Sequence, residues 1–393
     1  MPPLATLGTY SISILHSSLF YQDERSLVFS RPLRVHKGLE CEYYYYVEDG
    51  EALKESLQKK LQDQQFIYQF AEQHEHDFQA LMKCISEINQ KIDLDHNKLA
   101  LEFERYWQLL QRSQPLGDCF TIIEEVYLNT ARKWVEERLR KLGQPQLLGQ
   151  YMALLSTPWE ESETIKQEIE FLVLCKQFIG IPVPASLPEF HHKIPLDLQH
   201  AFQAHLQKWC WIPHGYDHEP FSEEFLHQQL QKYLQKDVTQ AYHQARLKNK
   251  ETMEQALKIL VELKANADMK ELLAGLRRFT LFRTTLDLHS SKALHTARPF
   301  YEEIAKRLNL TFYELKFLTP AEIALFLRKK RTSLDAKRLY YERKNLAVEF
   351  FQEEEQTILA GKEAQKVMQQ ITENREAVPH QTEQKSSPHT AKT

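Results

Sequence analysis

The stretch TPWEESETIKQEIEFLVLCKQFIG, residues 157–180, contains the pattern that decides the fold. Between Ile165 and Phe178 its apolar residues recur at intervals of three and four, which places them on one face of a helix that ends at Gly180. Sequence rich in Gln, Glu, Lys and Leu with the same helical period continues through most of residues 51–375. The sequence therefore predicts a mainly α fold with a multi-helix body.

Three segments follow from the change of pattern along the chain. Residues 1–50 contain short β-branched and aromatic runs between turn residues, which predict a small N-terminal β element. Residues 51–375 form the helical body, with a subdivision at 180–195 where Gly and Pro interrupt the apolar period. Residues 376–393 have almost no apolar side chains, so we expect a disordered tail. The predicted β runs are 9–15, 26–29 and 41–47.

Proline and hydroxyl residues mark where helices begin. Thr157-Pro158 and Thr319-Pro320 are each followed by a glutamate at the third helical position, so we expect helices starting within a residue or two of each proline. A break is expected at Ile212–Phe221, where Pro and Gly recur. The remaining predicted helices are 196–209, 223–247, 251–264, 268–292 and 299–308.

Composition excludes several classes of function. The chain has 50 Lys and Arg against 54 Asp and Glu, a formal net charge of −4, whereas a nucleic-acid binder needs a strongly basic face. No apolar run approaches the roughly 20 residues that cross a bilayer. The five cysteines include no C-x-x-C pair. We expect a cytoplasmic protein that contacts neither nucleic acid nor membrane.

The sequence offers no cofactor loop. Its ten glycines include no closely spaced set, and the nearest pair, Gly143 and Gly149, fits neither a Rossmann loop nor a P-loop. Serines and cysteines lack a nucleophile elbow. Seven of the 17 histidines lie between His191 and His227, but without the ligand spacing of known metal motifs. We therefore predict no cofactor, no metal site and no catalytic residue.

Two other features leave alternatives open. The basic run Arg328-Lys329-Lys330-Arg331 is typical of a solvated helix end, and the alternative is a docking patch for an acidic partner or phosphate. Aromatic and imidazole groups crowd residues 209–216, which form either core or the wall of a ligand pocket. The pocket hypothesis takes as ligand-binding candidates Trp211, His214, Tyr216, Arg278 and Arg283, the two arginines serving as anion contacts.

Three stretches, in this order, resemble a known family. They are residues 154–168 (LLSTPWEESETIKQE), residues 211–225 (WIPHGYDHEPFSEEF) and residues 305–323, which include ELKFLTPAEI. They are similar to the helical middle region of phosphoenolpyruvate (PEP) synthase-like enzymes and PEP-utilising phosphotransferases, including rifampin phosphotransferase. Residues 358–364 (ILAGKEA) resemble the segment that precedes the swivelling domain in such proteins. The resemblance covers roughly residues 100–375.

The resemblance implies a role without a catalytic centre. In that family an ATP-grasp domain binds nucleotide, a swivelling domain carries a phosphohistidine in a Gly-rich Ser/Thr-His motif, and the helical region connects them or holds the acceptor substrate. This sequence has no Gly-rich Ser/Thr-His loop, so no family catalytic residue has a matching position.

We therefore expect a non-catalytic, accessory helical subunit, inactive alone. Its partners are separate ATP-binding and phosphohistidine-domain polypeptides and a small-molecule ligand. If the chain is active with such partners, the activity is phosphotransfer of the PEP-utilising type. The alternative is a helical scaffold or protein-interaction module with no phosphotransfer role. A stand-alone enzyme with an unrecognised site is a third class.

Overall fold

A computed structural model of the chain describes residues 4–17, 32–60, 66–90, 94–114, 120–212, 219–328, 332–352 and 355–375. The described residues form a mainly helical structure with one small sheet, which confirms the predicted fold class. The predicted strand 26–29 and the predicted tail 376–393 lie outside the described residues.

Seventeen α-helices lie within the described ranges. The first nine are α1 (Ile14–Ser17), α2 (Val47–Lys60), α3 (Phe66–Asn89), α4 (His96–Arg112), α5 (Phe120–Leu142), α6 (Leu148–Ser156), α7 (Glu163–Gln177), α8 (Leu187–Lys193) and α9 (Leu196–Trp209). The others are α10 (Glu223–Leu234), α11 (Val238–Glu262), α12 (Ala267–Thr296), α13 (Arg298–Arg307), α14 (Phe312–Leu315), α15 (Pro320–Leu327), α16 (Ser333–Arg343) and α17 (Gly361–Arg375).

Among the residues that the structure describes, the sheet contains three strands from the N-terminal part of the chain and two from its C-terminal part. Its strands are β1 (Leu4–Ser11), β2 (Leu33–Lys37), β3 (Glu40–Tyr46), β4 (Ala347–Gln352) and β5 (Glu355–Ala360). They pair antiparallel in the order β1-β3-β2-β4-β5. The N-terminal β element is therefore present, but β4 and β5 lie inside the range expected to be helical. They pair there because the β4–β5 hairpin covers the edge of β2, which would otherwise leave backbone groups unpaired.

One of the two predicted helix starts is confirmed and the other is wrong. Thr319 and Glu322 form a reciprocal capping box at the start of α15. In contrast, Thr157 follows the end of α6, and its hydroxyl donates to the carbonyl of Ala153. The next helix, α7, begins at Glu163, where the hydroxyl of Ser162 accepts from the backbone N–H three residues on. A serine five residues after Thr157 is thus the cap.

The middle helices lie where the sequence predicts helices, but some of them are divided or joined differently from the prediction. The bounds of α9 are those predicted, whereas the predicted helix 223–247 is divided into α10 and α11. The division falls at Asp237, whose carboxylate accepts from the N–H of Gln240. The expected break before residue 251 is absent, since α11 continues to Glu262. The predicted break at 180–195 contains α8. Helix α7 ends just before it at Gln177, and Gly180 in the following turn has a φ of +82°.

Helix α12 is the axis of the helical body. Its 30 residues make it about 45 Å long at the usual rise per residue. The first half packs with α5, α6 and α11 around Leu276 and Phe279. The second half packs with α3, α4 and α13–α15 around Ala293 and Leu294. A third core joins α7 to α10, and α17 covers one face of the sheet.

Candidate functional site

Trp211 lies against the second half of α12. Its side chain is buried, its ring centroid is 6.1 Å from that of Trp209, and both pack on Leu288. The indole N–H donates to the carbonyl of Lys208 at 2.7 Å. The Lys292 ammonium lies 5.6 Å from the centroid of the Trp211 ring. The other two aromatic and imidazole candidates, His214 and Tyr216, lie outside the described residues.

The two candidate arginines face different neighbours. The guanidinium of Arg278 lies 4.4 Å from the ring centroid of Tyr68 on α3. Arg283 forms an ion pair with Glu124 on α5. A spacing of five residues turns side chains about 140° apart on a helix. The structure therefore does not bring these arginines together with Trp211, and a ligand role for them stays a prediction.

A pair of histidines links α3 to α12. His74 on α3 is buried, and its Nδ1 lies 2.8 Å from the carbonyl oxygen of Ser113. Its Nε2 lies 2.9 Å from Nδ1 of His289. The His289 ring stacks on Phe78 with centroids 3.8 Å apart and planes 11° apart. The contacts with His74 and Phe78 thus fix the orientation of the His289 ring.

The hydrogen bonds of this pair set the tautomers. A carbonyl oxygen only accepts, so Nδ1 of His74 carries the proton and donates to Ser113. Nε2 of His74 is then an acceptor, and Nδ1–H of His289 donates to it. The remaining nitrogen, Nε2 of His289, carries a lone pair. Among the described residues it has no hydrogen-bond partner, and the His289 side chain is partly exposed.

Burial keeps both imidazoles neutral. Burial is the main reason why the pKa of His74 is lowered. It is also the main reason why the pKa of His289 falls to about 4. His74 and Lys292 lower the pKa of His289 further, against the opposing charges of Glu75 and Glu163. A neutral imidazole that donates through one nitrogen presents the other as an oriented acceptor or base. At neutral pH the outer nitrogen of His289 can accept a hydrogen bond from a ligand.

A thiol contacts the same helix near its C-terminal end, at His295, six residues beyond His289. Cys210 caps the C-terminus of α9, and its Sγ lies 3.5 Å from Nε2 of His295. Burial raises the pKa of the Cys210 thiol and lowers the pKa of the His295 imidazole. Both groups are therefore neutral, and the pair lacks the lowered thiol pKa that activates a cysteine nucleophile. Its geometry is that of an S–H···N contact at a packed helix end.

Comparisons with known proteins give no relative. No family model, curated protein or solved structure matches the chain. Within the ranges that the structure describes, no helix is both long and apolar enough to span a bilayer. Among the same residues, no group of three or more His, Cys, Asp or Glu side chains is placed to hold a metal ion. Functional inference therefore depends on the side chains of α12.

Sequence reasoning missed the histidine pair and the thiol–imidazole pair for the same reason. His74 and His289 are 215 residues apart, and Cys210 and His295 are 85 residues apart. No local motif marks them, since each side chain lies within an ordinary helical period or at a helix end. Only the packing of α3 and α9 against α12 brings the partners together.

Proposed function

We propose that the chain is a non-catalytic, accessory helical subunit of a PEP synthase-like phosphotransferase, in which it holds the acceptor substrate or connects the catalytic domains. The ATP-binding and phosphohistidine domains would then be separate polypeptides. The cytoplasm is the compartment proposed, in keeping with the cysteines at described positions, which form no disulfide.

The observation that carries this proposal is the meeting of the three family-like stretches on one helix. In the first, the carbonyl of Leu155 accepts a hydrogen bond of 3.0 Å from Arg277 of α12. In the second, Trp211 packs on Leu288. Residues of the third share a core with Ala293 and Leu294. Sequence separated by tens of residues thus forms one structural unit, as a single substrate-binding or connecting region requires.

The binding role is supported by two neighbouring groups on α12. His289 offers a neutral acceptor, and Lys292, one helical turn later, offers a cation whose ammonium lies 5.6 Å from the ring centroid of the buried Trp211. An acceptor and a cation one turn apart suit a small ligand that has both a hydroxyl and an anionic group. This set replaces the two arginines as the ligand-binding hypothesis that we favour.

One observation favours the alternative, a helical scaffold with no phosphotransfer role. Trp211 is buried, Arg278 lies on Tyr68, and Arg283 is paired with Glu124, so three candidate side chains already serve the fold. A scaffold needs such contacts and no ligand.

Affinity capture from the native host, followed by mass spectrometry, tests the first proposal. We expect an ATP-grasp or phosphohistidine-domain polypeptide in stoichiometric amount. The captured complex is then titrated with phosphoenolpyruvate and with inorganic phosphate. His289→Asn keeps an amide donor toward His74 but removes the outer acceptor, so it should weaken binding by about 1–2 kcal/mol. Val261→Ser, at an exposed position of α11, is the matched control.

Two results would contradict the proposal in different ways. Capture of neither domain class removes the phosphotransferase assignment and favours the scaffold. Capture of such a domain with unchanged binding in His289→Asn and Lys292→Gln removes the binding role but keeps the connecting one.

A further inference from the structure

We infer that the outward face of α16 docks an acidic segment of another protein. This surface, called here the α16 surface, consists of Tyr313 from α14 together with Leu334, Lys337, Arg338, Tyr341 and Lys344. The inference is independent of the proposed function, because it uses none of the residues on α12.

The apolar part of the α16 surface is unusually exposed. Leu334 is 77% exposed and Tyr341 is 60% exposed. They are seven residues apart, which places them two turns apart on the same side of the helix. Tyr313, 48% exposed, adjoins them through Tyr340, whose ring centroid is 6.4 Å from that of Tyr313 and 5.1 Å from that of Tyr341. Single exposed apolar residues are ordinary, but adjoining tyrosines with a highly exposed leucine on the same side of the helix are typical of an interaction site.

Basic side chains surround these apolar groups. Lys337 and Lys344 have no carboxylate partner among the described residues, and the Lys344 ammonium lies 4.9 Å from the centroid of the Tyr341 ring. Arg338 has only a long, exposed contact of 3.6 Å with Glu342. A partner that brings carboxylates to this surface would therefore find cations that the fold itself leaves largely unneutralised.

The charge is local to this part of the chain. Residues 328–344 contain eight Lys and Arg against two Asp and Glu, a net charge of +6. Of these cations, residues 329–331 lie outside the described ranges, and Arg328 and Arg343 are ion-paired. Lys337, Arg338 and Lys344 are therefore the cations of the α16 surface itself. The whole chain has a net charge of −4, so the remaining residues together carry −10. A cationic surface on an anionic protein selects and orients an acidic partner.

One buried and one partly exposed ion pair hold the α16 surface in place. Arg343, at the end of α16, donates two hydrogen bonds of 2.7 Å to Glu322 of α15. Arg328, at the end of α15, pairs with Glu104 of α4. The surface is thus attached to the helical body and needs little ordering when a partner binds.

An acidic protein segment fits this surface better than the other candidates. A nucleic acid extends beyond one helix face and would meet the excess negative charge elsewhere, and Leu334 offers nothing to a phosphate backbone. The chain's own residues 376–393 contain two Glu and two Lys and almost no apolar side chains, so they complement neither the charge nor the apolar groups. The partner we infer carries carboxylates beside leucine-like or aromatic side chains.

Site-specific photocrosslinking in the native host tests this inference. The full chain carries the substitution Tyr341→p-benzoylphenylalanine, and a second version carries the same photoreactive residue at the exposed Val261 as a control. The crosslinked peptide is sequenced, then synthesised with a fluorophore and titrated against the purified protein by fluorescence anisotropy. Charge is tested with the triple variant Lys337→Gln, Arg338→Gln, Lys344→Gln. Its matched control is Lys98→Gln, Lys193→Gln, Lys306→Gln, at exposed positions elsewhere.

We expect a crosslink at position 341 to a peptide of net negative charge from another protein. We also expect at least tenfold weaker binding of that peptide by the triple variant and by Leu334→Ser, with unchanged thermal stability. A crosslink to nucleic acid, to a second copy of this chain or to the chain itself would overturn the inference. So would a yield no higher than at position 261, or equal binding by the triple variant and its control.

Discussion

Arg343 and Glu322 form the strongest side-chain link between α15 and α16. The guanidinium donates two hydrogen bonds of 2.7 Å to the carboxylate and one of 3.0 Å to the carbonyl of Phe317. Burial alone would raise the pKa of Glu322, but hydrogen bonds from Arg343 and Thr319 hold that pKa below its usual range. The carboxylate therefore serves an ion pair and a helix cap at once.

We expect Arg343→Leu to lower the free energy of unfolding by about 3 kcal/mol, because it leaves the Glu322 carboxylate poorly solvated and without its cation. Urea denaturation measures the change. Arg338→Leu removes an exposed pair on the same helix, so it should change stability by less than about 0.5 kcal/mol. Equal losses in the two variants would show that the buried pair has no special role.

Buried histidines predict how stability depends on pH. Burial lowers the pKa of His289 and of His205 to about 4, against about 6.5 in the unfolded chain. Between these values the unfolded chain binds protons that the native protein does not. Stability should therefore fall as the pH decreases from about 6.5 to 4, by up to about 1.4 kcal/mol per pH unit for each such histidine.

Urea unfolding between pH 7 and pH 4.5 checks this dependence. His205→Leu removes one of the two groups and should make stability less dependent on pH. His76→Asn, at a side chain that is 81% exposed, should leave the dependence as in the wild type. If His205→Leu retains the full pH dependence, burial of that imidazole does not link protonation to unfolding.

At the scale of the element, the start of α7 shows that the residue with the better capping motif is not the residue that caps the helix. Thr157-Pro158 has the better motif, yet the hydroxyl of Ser162 accepts from the backbone of Ile165 at 3.4 Å. Trp159 in the intervening link lies 3.9 Å from the guanidinium of Arg277, measured to the ring centroid. A contact with α12 thus holds the link away from helical continuation, which a local motif cannot reveal.

Paired alanine substitutions test this cap. Ser162→Ala should destabilise the protein by about 1 kcal/mol, because it removes the acceptor of an N-terminal backbone N–H. Thr157→Ala removes only a bond to the carbonyl of Ala153 and should cost less than about 0.5 kcal/mol. Thermal unfolding of both variants measures the difference, and the reverse order would place the functional cap at Thr157.

The bounds of a helix were predictable from the sequence where residues within and next to that helix determine where it begins and ends. Helix α9 has an apolar face bounded by Pro195 and the aromatic residues after Trp209, and its predicted bounds agree with the structure. Strands β4 and β5 were not predictable in the same way, because β4 pairs with β2 about 310 residues earlier. Val348 is buried by that pairing and by α17, and no pattern in the neighbouring sequence indicates this burial.

The candidate site shows the same limit. Trp211 could be selected from its aromatic neighbours, and it does lie beside α12. His289 could not be selected, because its value as an acceptor depends on a hydrogen bond to His74 on α3. Tautomers and pKa shifts arise from burial and partners, which an isolated sequence does not contain.

At the scale of the whole molecule, the sequence lacks the closely spaced glycines of a triphosphate-binding loop. Such sites use closely spaced glycines whose N–H groups approach the phosphates. The two glycines that are nearest in sequence belong to ordinary helix structure. Gly143 has a φ of +73° just after α5, and Gly149 lies within α6.

We accordingly expect the isolated chain neither to bind ATP tightly nor to acquire phosphate from ATP or phosphoenolpyruvate. Calorimetry should give a Kd for ATP above about 1 mM, near −4 kcal/mol, since neutral His289 and single cations such as Lys292 offer few contacts. Incubation with labelled ATP or phosphoenolpyruvate, followed by alkaline work-up that preserves phosphohistidine, should leave the chain unlabelled. Near-stoichiometric label on a histidine would contradict this expectation, and its loss in His289→Asn would identify that imidazole as the acceptor and make the subunit a phosphate carrier.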